Sequence, residues 1–561
     1  MLGRYSATKL QLRLLATWLC IDYTTITVHF RQGEDVRRLL DFAKRMDWTD
    51  PDISWLGKTP VSPVEAFTKA VCAMSEGAGK DDLCLPMWDE KVFRAGRLSK
   101  EAHVSFWRDV ILVECPDRDL ILENLDGMRP SRYFKHFKGR YMGKDYDCAS
   151  PPPRVFTNNL SEELTSTGET ARKWAVKKVQ QDVRTGAIKC LGKVGEVEPP
   201  RVVLPLSVEL EKPRLITDAR YINLWGDPAP FTLDTVGLVP DTFKRDGMLG
   251  DYDHKSGYHH FLFAEEEQGY FGFELEGMYY VFAAGCFGWS KMPEIYHKAH
   301  MALLRFAQRV FGIPCLGYLD DCLFGSTFGR VEKGGGVEAS ARASGMMLAW
   351  INFLAGYSVS EKKSVFEPCW EIIWLGILID AKSNRFFVPE DKKKKLLELM
   401  RSVLRSKTTS IAQLESVAGK CISLQLAVGE AAKLYTRAMF DVLTLVRGGR
   451  IWTRRSVGKL ALFPIHGRGF DALRHSLDVW LRCIELFNGA PWFDTMHTKI
   501  CIKTDASGRA WGGCSKTLMI LQCYRLEKNF ILPSWNWILR PRRPWRWSEQ
   551  SRALWRRKER I

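Results

Sequence analysis

The chain has 561 residues, too many for one hydrophobic core, so it divides into several domains. At 46% apolar and 26% charged it has the balance of a folded chain, which excludes a disordered or collagen-like one. A formal charge of +17 favours polyanionic partners, because Lys and Arg displace counterions from phosphate.

The N-terminus sets Arg4, Lys9 and Arg13 before an apolar run at 14–21, the outline of a signal peptide. Asp22 closes that run early and no small-residue cleavage site follows, so an intracellular location, cytoplasmic or nuclear, is expected. Fifteen scattered Cys without a C-x-x-C pair argue for reduced thiols rather than disulfides or a zinc knuckle. No apolar run approaches the length of a bilayer span, so no membrane partner is expected.

Val36, Leu39, Leu40, Ala43 and Met46 recur at helical spacing and predict an amphipathic helix at 34–47. Pro151-Pro152-Pro153 breaks regular structure, and 161–184 reads as a polar helix. Residues 1–190 are therefore expected to be a mainly helical accessory region with no catalytic constellation. From about 200 onward, β-rich runs at 201–206, 269–282, 315–324 and 372–379 alternate with helical stretches at 290–311 and 339–356. That mixture predicts an α+β domain with an antiparallel sheet. Beyond Pro389 the pattern turns helical. Leu396, Met400, Val403 and Leu404 follow the lysines at 392–395, and Ile411, Leu414, Val417, Cys421 and Leu424 form a second stripe. The lysines read either as a solvated helix face or as phosphate contacts. A strand follows at Cys501-Ile502-Lys503-Thr504. The tail, 533–561, carries five Trp, eight Arg and one Lys against two Glu, so +7 of the total charge lies there.

Tyr318-Leu319-Asp320-Asp321 lies between two apolar runs, as a tight turn joining two strands would. Adjacent carboxylates repel, and an apolar setting makes ionising both costly. A divalent cation compensates, since Mg²⁺ is held by one or two carboxylates with substrate phosphates completing its shell. A second acidic strand, Leu249-Gly250-Asp251-Tyr252-Asp253, precedes the turn. Three carboxylates converging from two strands suit a two-metal site for in-line phosphoryl transfer.

The ordered motifs resemble those of retroelement reverse transcriptases, particularly gypsy-like and DIRS-like ones. A fingers motif runs from Lys212 through Arg214 and Asp218-Ala219-Arg220 to Asn223. A first palm motif runs Asp253-His254-Lys255-Ser256-Gly257-Tyr258-His259, and a template motif Phe287-Gly288-Trp289-Ser290-Lys291-Met292-Pro293 follows. The Y-x-D-D turn, a lysine-bearing segment at 356–364 and the primer-grip-like Trp374-Leu375-Gly376 complete the set. The resemblance implies a multidomain α+β right-hand polymerase: fingers and palm at 191–385, a helical thumb or connection at 386–495, and a partial ribonuclease H-like segment at 497–561. It implies an RNA-directed DNA polymerase working on an RNA template, a primer and dNTPs. Asp253, Asp320 and Asp321 would bind two Mg²⁺ ions, or Mn²⁺ in their place. Arg214 would neutralise the triphosphate, with Tyr258 as steric gate and Phe287 and Gly288 beside the nucleotide. Lys363, or its neighbour Lys362, would protonate pyrophosphate. Asp251 departs from the family pattern and either crowds the metal site or stands outside it.

Thr504-Asp505-Ala506-Ser507 with Trp511-Gly512-Gly513 resembles the first ribonuclease H strand, with Asp505 as metal ligand and Glu549 the nearest second. The Trp- and Arg-rich tail is unlike a ribonuclease H core and reads as a truncated or frame-shifted terminus, or as a surface that stacks on single strands. A decayed or domesticated copy that binds nucleic acid without polymerising is the alternative reading.

Overall fold

The computed structural model describes residues 93–492 and 500–517, apart from 157–159, 162–163, 165–168, 210–213, 228–229, 328, 330–336, 430, 449–461, 468 and 507–510. The helix expected at 34–47, Lys212, Glu549 and the basic tail lie outside the described residues. By internal contact the chain divides into two units, Met1–Phe493 and Asp494–Ile561.

The first unit is built on a four-stranded antiparallel sheet ordered Cys315–Tyr318, Asp321–Gly325, Leu249–Asp253 and Val365–Cys369. Because side chains alternate across a strand, the sheet divides its residues between two cores. Tyr252, Cys322 and Phe324 face a core that includes Phe306, Leu303 and Leu354. Leu249 and Leu323 face the other, which includes Trp374, Leu414 and Trp480. Asp251, Asp253 and Asp321 share the parity of that second face.

The first core is covered by two helices. Met292–Phe311 starts with Pro293 in its first turn and ends on Gly312, whose φ of +68° provides the left-handed cap. Val337–Ala355 packs against the Asp321–Gly325 and Val365–Cys369 strands. The segment before residue 190 belongs to this core too: Leu98, Trp107, Ile121, Val179 and Ile188 lie in the same cluster as Phe273 and Tyr357. It is tied there by polar contacts as well. Trp107 donates to Ala355 O at 2.9 Å, and His103 Nδ1 meets Leu354 O at 2.8 Å. The helix predicted at 161–184 is found at Glu169–Thr185, and the strand after it, Ile188–Lys193, borders Met278–Phe282 in a five-stranded sheet.

Past the central sheet comes a second antiparallel one, Glu371–Trp374, Ile377–Asp380, Arg385–Phe387 and Ala490–Pro491. The helical pattern beyond Pro389 appears as Glu390–Arg405, Ile411–Ser423, Ala431–Arg447 and Asp471–Phe487. Ser410 caps the second of these by accepting the Gln413 N–H. Among the described residues no helix is long and apolar enough to cross a membrane. The second unit is described as one hairpin, Ile500–Ala506 with Trp511–Thr517, in which Asp505 stands opposite Gly512.

Candidate active site

The register of the central sheet sets Asp253 directly opposite Asp321, and Tyr318 opposite Asp321 across the hairpin. Leu319 and Asp320 form the tip, with Leu319 at φ +52°. The three carboxylates predicted from the sequence thus come from two adjacent strand ends. Their electrostatics record the crowding. Burial, then the negative charge of Asp253, raises the Asp320 carboxyl above the usual range, while Lys363 and Arg214 oppose the shift. Asp321 is raised by burial first, then by Asp320 and Asp253. Ionising Asp320 and Asp321 together in this setting costs energy, which a cation would repay.

Asp251 lies to one side of this group. Its Oδ1 accepts the Val365 N–H of the edge strand at 2.9 Å, and burial pushes its carboxyl up to about 6. Lys363 reaches Asp253 with its Nζ 3.0 and 3.1 Å from the two carboxylate oxygens. Lys362 is exposed. Among the described residues no group of three or more His, Cys, Asp or Glu is gathered closely enough to hold an ion as the side chains stand. The donor set itself fits Mg²⁺: it offers only carboxylate oxygens, the ligands this hard cation takes. In the present arrangement the ammonium of Lys363 supplies the positive charge at Asp253.

Tyr258 is held beside the turn, its ring 5.0 Å from Phe287 and 5.5 Å from Tyr296. Burial, then the charge of Asp320, pushes its phenol up to about 12. Phe287 is 52% exposed, so an apolar ring faces solvent beside Tyr258. Arg214 opens the Arg214–Thr217 strand and is exposed, within electrostatic reach of Asp320. Gly288 meets the end of that strand: at φ +104°, a Cβ would lie 2.3 Å from Thr217 O. Asp505 lies in the second unit's hairpin, and Glu549 is outside the described residues.

Sequence reasoning missed three contacts that assemble these parts. Asn223 donates to Gly288 O at 2.8 Å and accepts the Ser290 N–H at 2.9 Å, so the last residue of the fingers motif clamps the template motif. Lys392 donates to Gly376 O at 3.1 Å, joining the lysine cluster to the Trp374-Leu375-Gly376 turn. The third is a buried imidazole network behind the carboxylates. His254 Nε2 bonds Asn352 Oδ1 at 2.7 Å and its Nδ1 meets the Tyr296 hydroxyl at 2.6 Å. His260 accepts the Ser358 N–H at 2.8 Å, and His300 meets Leu319 O at 2.6 Å. Burial lowers all three imidazoles, His260 and His300 to about 3, so the network is neutral. A histidine on an apolar helix face reads as core, and its hydrogen bonds are invisible in sequence.

No protein-family model matches this chain, and no curated protein matches it. Among solved structures it is similar to foamy viral protease-reverse transcriptase. The form named dRH, in complex with double-stranded DNA, is 15% identical with a TM-score of 0.47, over 74% of this chain and 65% of that one. A second complex with double-stranded DNA gives 15% and 0.46 over 74% and 78%, and one with an RNA/DNA hybrid gives 13% and 0.47 over 74% and 50%. The chain thus spans less than two thirds of the first of these structures.

Proposed function

We propose that the chain is an RNA-directed DNA polymerase of a retroelement, which joins dNTPs to a primer 3′-OH along an RNA template. The observation that carries this reading is the pairing of Asp253 with Asp321 across adjacent antiparallel strands, with Asp320 at the intervening tip. The ordered fingers, template, palm and primer-grip motifs supply its surroundings, in a right-hand layout of fingers and palm followed by a helical thumb. Asp253, Asp320 and Asp321 would hold two Mg²⁺ ions, which when bound activate the attacking hydroxyl and neutralise the leaving oxygen.

The remaining work belongs to side chains. Arg214 offers a guanidinium fork to the triphosphate. Tyr258, backed by Phe287 and Tyr296, is a rigid ring against which a ribose 2′-OH clashes. Lys363 carries the proton that pyrophosphate takes on leaving, and must exchange its contact with Asp253 to do so. The second unit's hairpin, with Asp505, is read as the start of a ribonuclease H-like segment.

One observation favours a second reading, a copy that binds nucleic acid without polymerising: Lys363 engages Asp253, and the carboxylates are not gathered as a closed ligand set. Primer extension on poly(rA)/oligo(dT) with Mg²⁺, beside Asp320→Asn, separates the two. Polymerase activity predicts dTTP incorporation that falls at least about a hundredfold in the variant. Background incorporation by both proteins, with primer-template still bound in an anisotropy assay, would defeat the polymerase and support the binding reading.

A further inference from the structure

We propose that His300 is a positioning residue: its imidazole ties together the two strand ends that carry the carboxylates. The role rests on the polymerase reading and deepens it. His300 projects from the Met292–Phe311 helix and is fully buried. Its Nδ1 lies 2.6 Å from Leu319 O and its Nε2 2.9 Å from the Tyr252 hydroxyl. A carbonyl only accepts, so Nδ1 carries the hydrogen, and Nε2 accepts from Tyr252 O–H. Each partner is the immediate neighbour of a predicted metal ligand. Tyr252 precedes Asp253, and Leu319 precedes Asp320.

The bond to Leu319 fixes the plane of the peptide that leads into Asp320. Leu319 holds φ +52°, a conformation that a non-glycine residue keeps only when its surroundings enforce it. The His254 N–H in turn donates to Asp320 O at 3.0 Å, so both carbonyls of the tip are held. The helix can come this close because Gly317 has no side chain: a Cβ there would lie 2.6 Å from Leu304 and 2.9 Å from Met301 Sδ. His300 touches neither nucleotide nor metal in this scheme. It acts by limiting where Asp320 and Asp321 point, and misplacement of reacting groups by an ångström costs on the order of a hundredfold in rate.

The test compares full-length His300→Asn, His300→Gln and His300→Leu in steady-state dTTP incorporation on poly(rA)/oligo(dT). Asn sets an amide N–H where Nδ1 stood, whereas Gln sets it near Nε2. The expected result is a fall in kcat of about threefold to tenfold for Asn, which keeps the bond to Leu319 but not the one from Tyr252, and of about tenfold to a hundredfold for Gln and Leu. KM for dTTP and the primer-template Kd stay within about threefold throughout, because binding groups are untouched. Selective ¹⁵N-histidine NMR should show a neutral Nδ1–H imidazole assigned to His300 in the wild type. If the Leu variant fails to fold, the Asn and Gln variants decide alone. Equal kcat in those two, or an Nε2–H tautomer, would overturn the role while leaving the polymerase reading standing. A wild-type chain that incorporates no dTTP would defeat the polymerase reading, and this role with it.

Discussion

Gly288 shows how little freedom the loop ahead of the Met292–Phe311 helix has. Its φ of +104° lies where side chains are strained, and a Cβ would come within 2.3 Å of a backbone oxygen that cannot rotate away, Thr217 O. Asn223 fixes the same loop from outside through two hydrogen bonds. Gly288→Ala is therefore expected to cost about 1–3 kcal/mol through backbone strain, read as a lowered urea midpoint. Incorporation should fall as well, since the loop carries Phe287 beside Tyr258. An unchanged midpoint would mean that the Arg214–Thr217 strand simply yields. The residues of this loop were legible as a motif, because F-G-x-x-x-x-P survives as a string. The partnership of Asn223 with Gly288 was not, since it joins positions 65 apart in sequence through side-chain geometry alone.

At the scale of elements, the first turn of the Met292–Phe311 helix carries a buried charge cluster. Lys291 Nζ lies 2.6 Å from Glu294, with side-chain exposures of 10% and 5%. Lys298 joins the same carboxylate at 3.2 Å and Asp117 at 3.1 Å, and so links the helix to the segment before residue 190. Removing one partner of a buried pair leaves the other charge without compensation, which typically costs about 3–5 kcal/mol. Glu294→Ala should lose that much in chemical denaturation, and Glu294→Gln less, because the amide still accepts from one lysine. Equal, small losses would show that water reaches Lys291. Elements of this kind were readable where periodicity was long. The helices at Met292–Phe311 and Val337–Ala355 fall within a few residues of the stretches expected from sequence. The five-stranded sheet was readable in part: the expected runs at 201–206 and 269–282 hold Val202–Val203, Gly272–Leu275 and Met278–Phe282, whereas Arg154–Val155 is two residues long and has no period to detect. The packing of Leu98, Trp107 and Ile121 onto the central core is a tertiary fact, joining them to residues as distant in sequence as Tyr357.

For the molecule as a whole, the buried imidazoles set a limit on acid stability. His254, His260 and His300 come from three elements, and each is below the ordinary histidine value because burial penalises the charged ring. In the unfolded chain an imidazole titrates near 6.5. Below that pH the unfolded chain takes up protons that the folded chain refuses until about 3 for His260 and His300. Their contribution is therefore complete above about 6.5 and is lost as pH falls toward the folded values. Asp251 works in the opposite sense. Its folded value of about 6 exceeds the unfolded one, so its contribution is complete below about 4 and is lost as pH rises through 6. Total stability mixes these opposing signs, and a difference measurement isolates one imidazole. His300→Asn keeps the bond to Leu319 and removes one titrating group. The stability of wild type relative to this variant should fall by up to about 1.4 kcal/mol per pH unit between pH 6.5 and 4, in urea unfolding at fixed ionic strength. A gap that does not change with pH would mean that His300 titrates alike in folded and unfolded chains. The neutral network behind the carboxylates would then have to be abandoned.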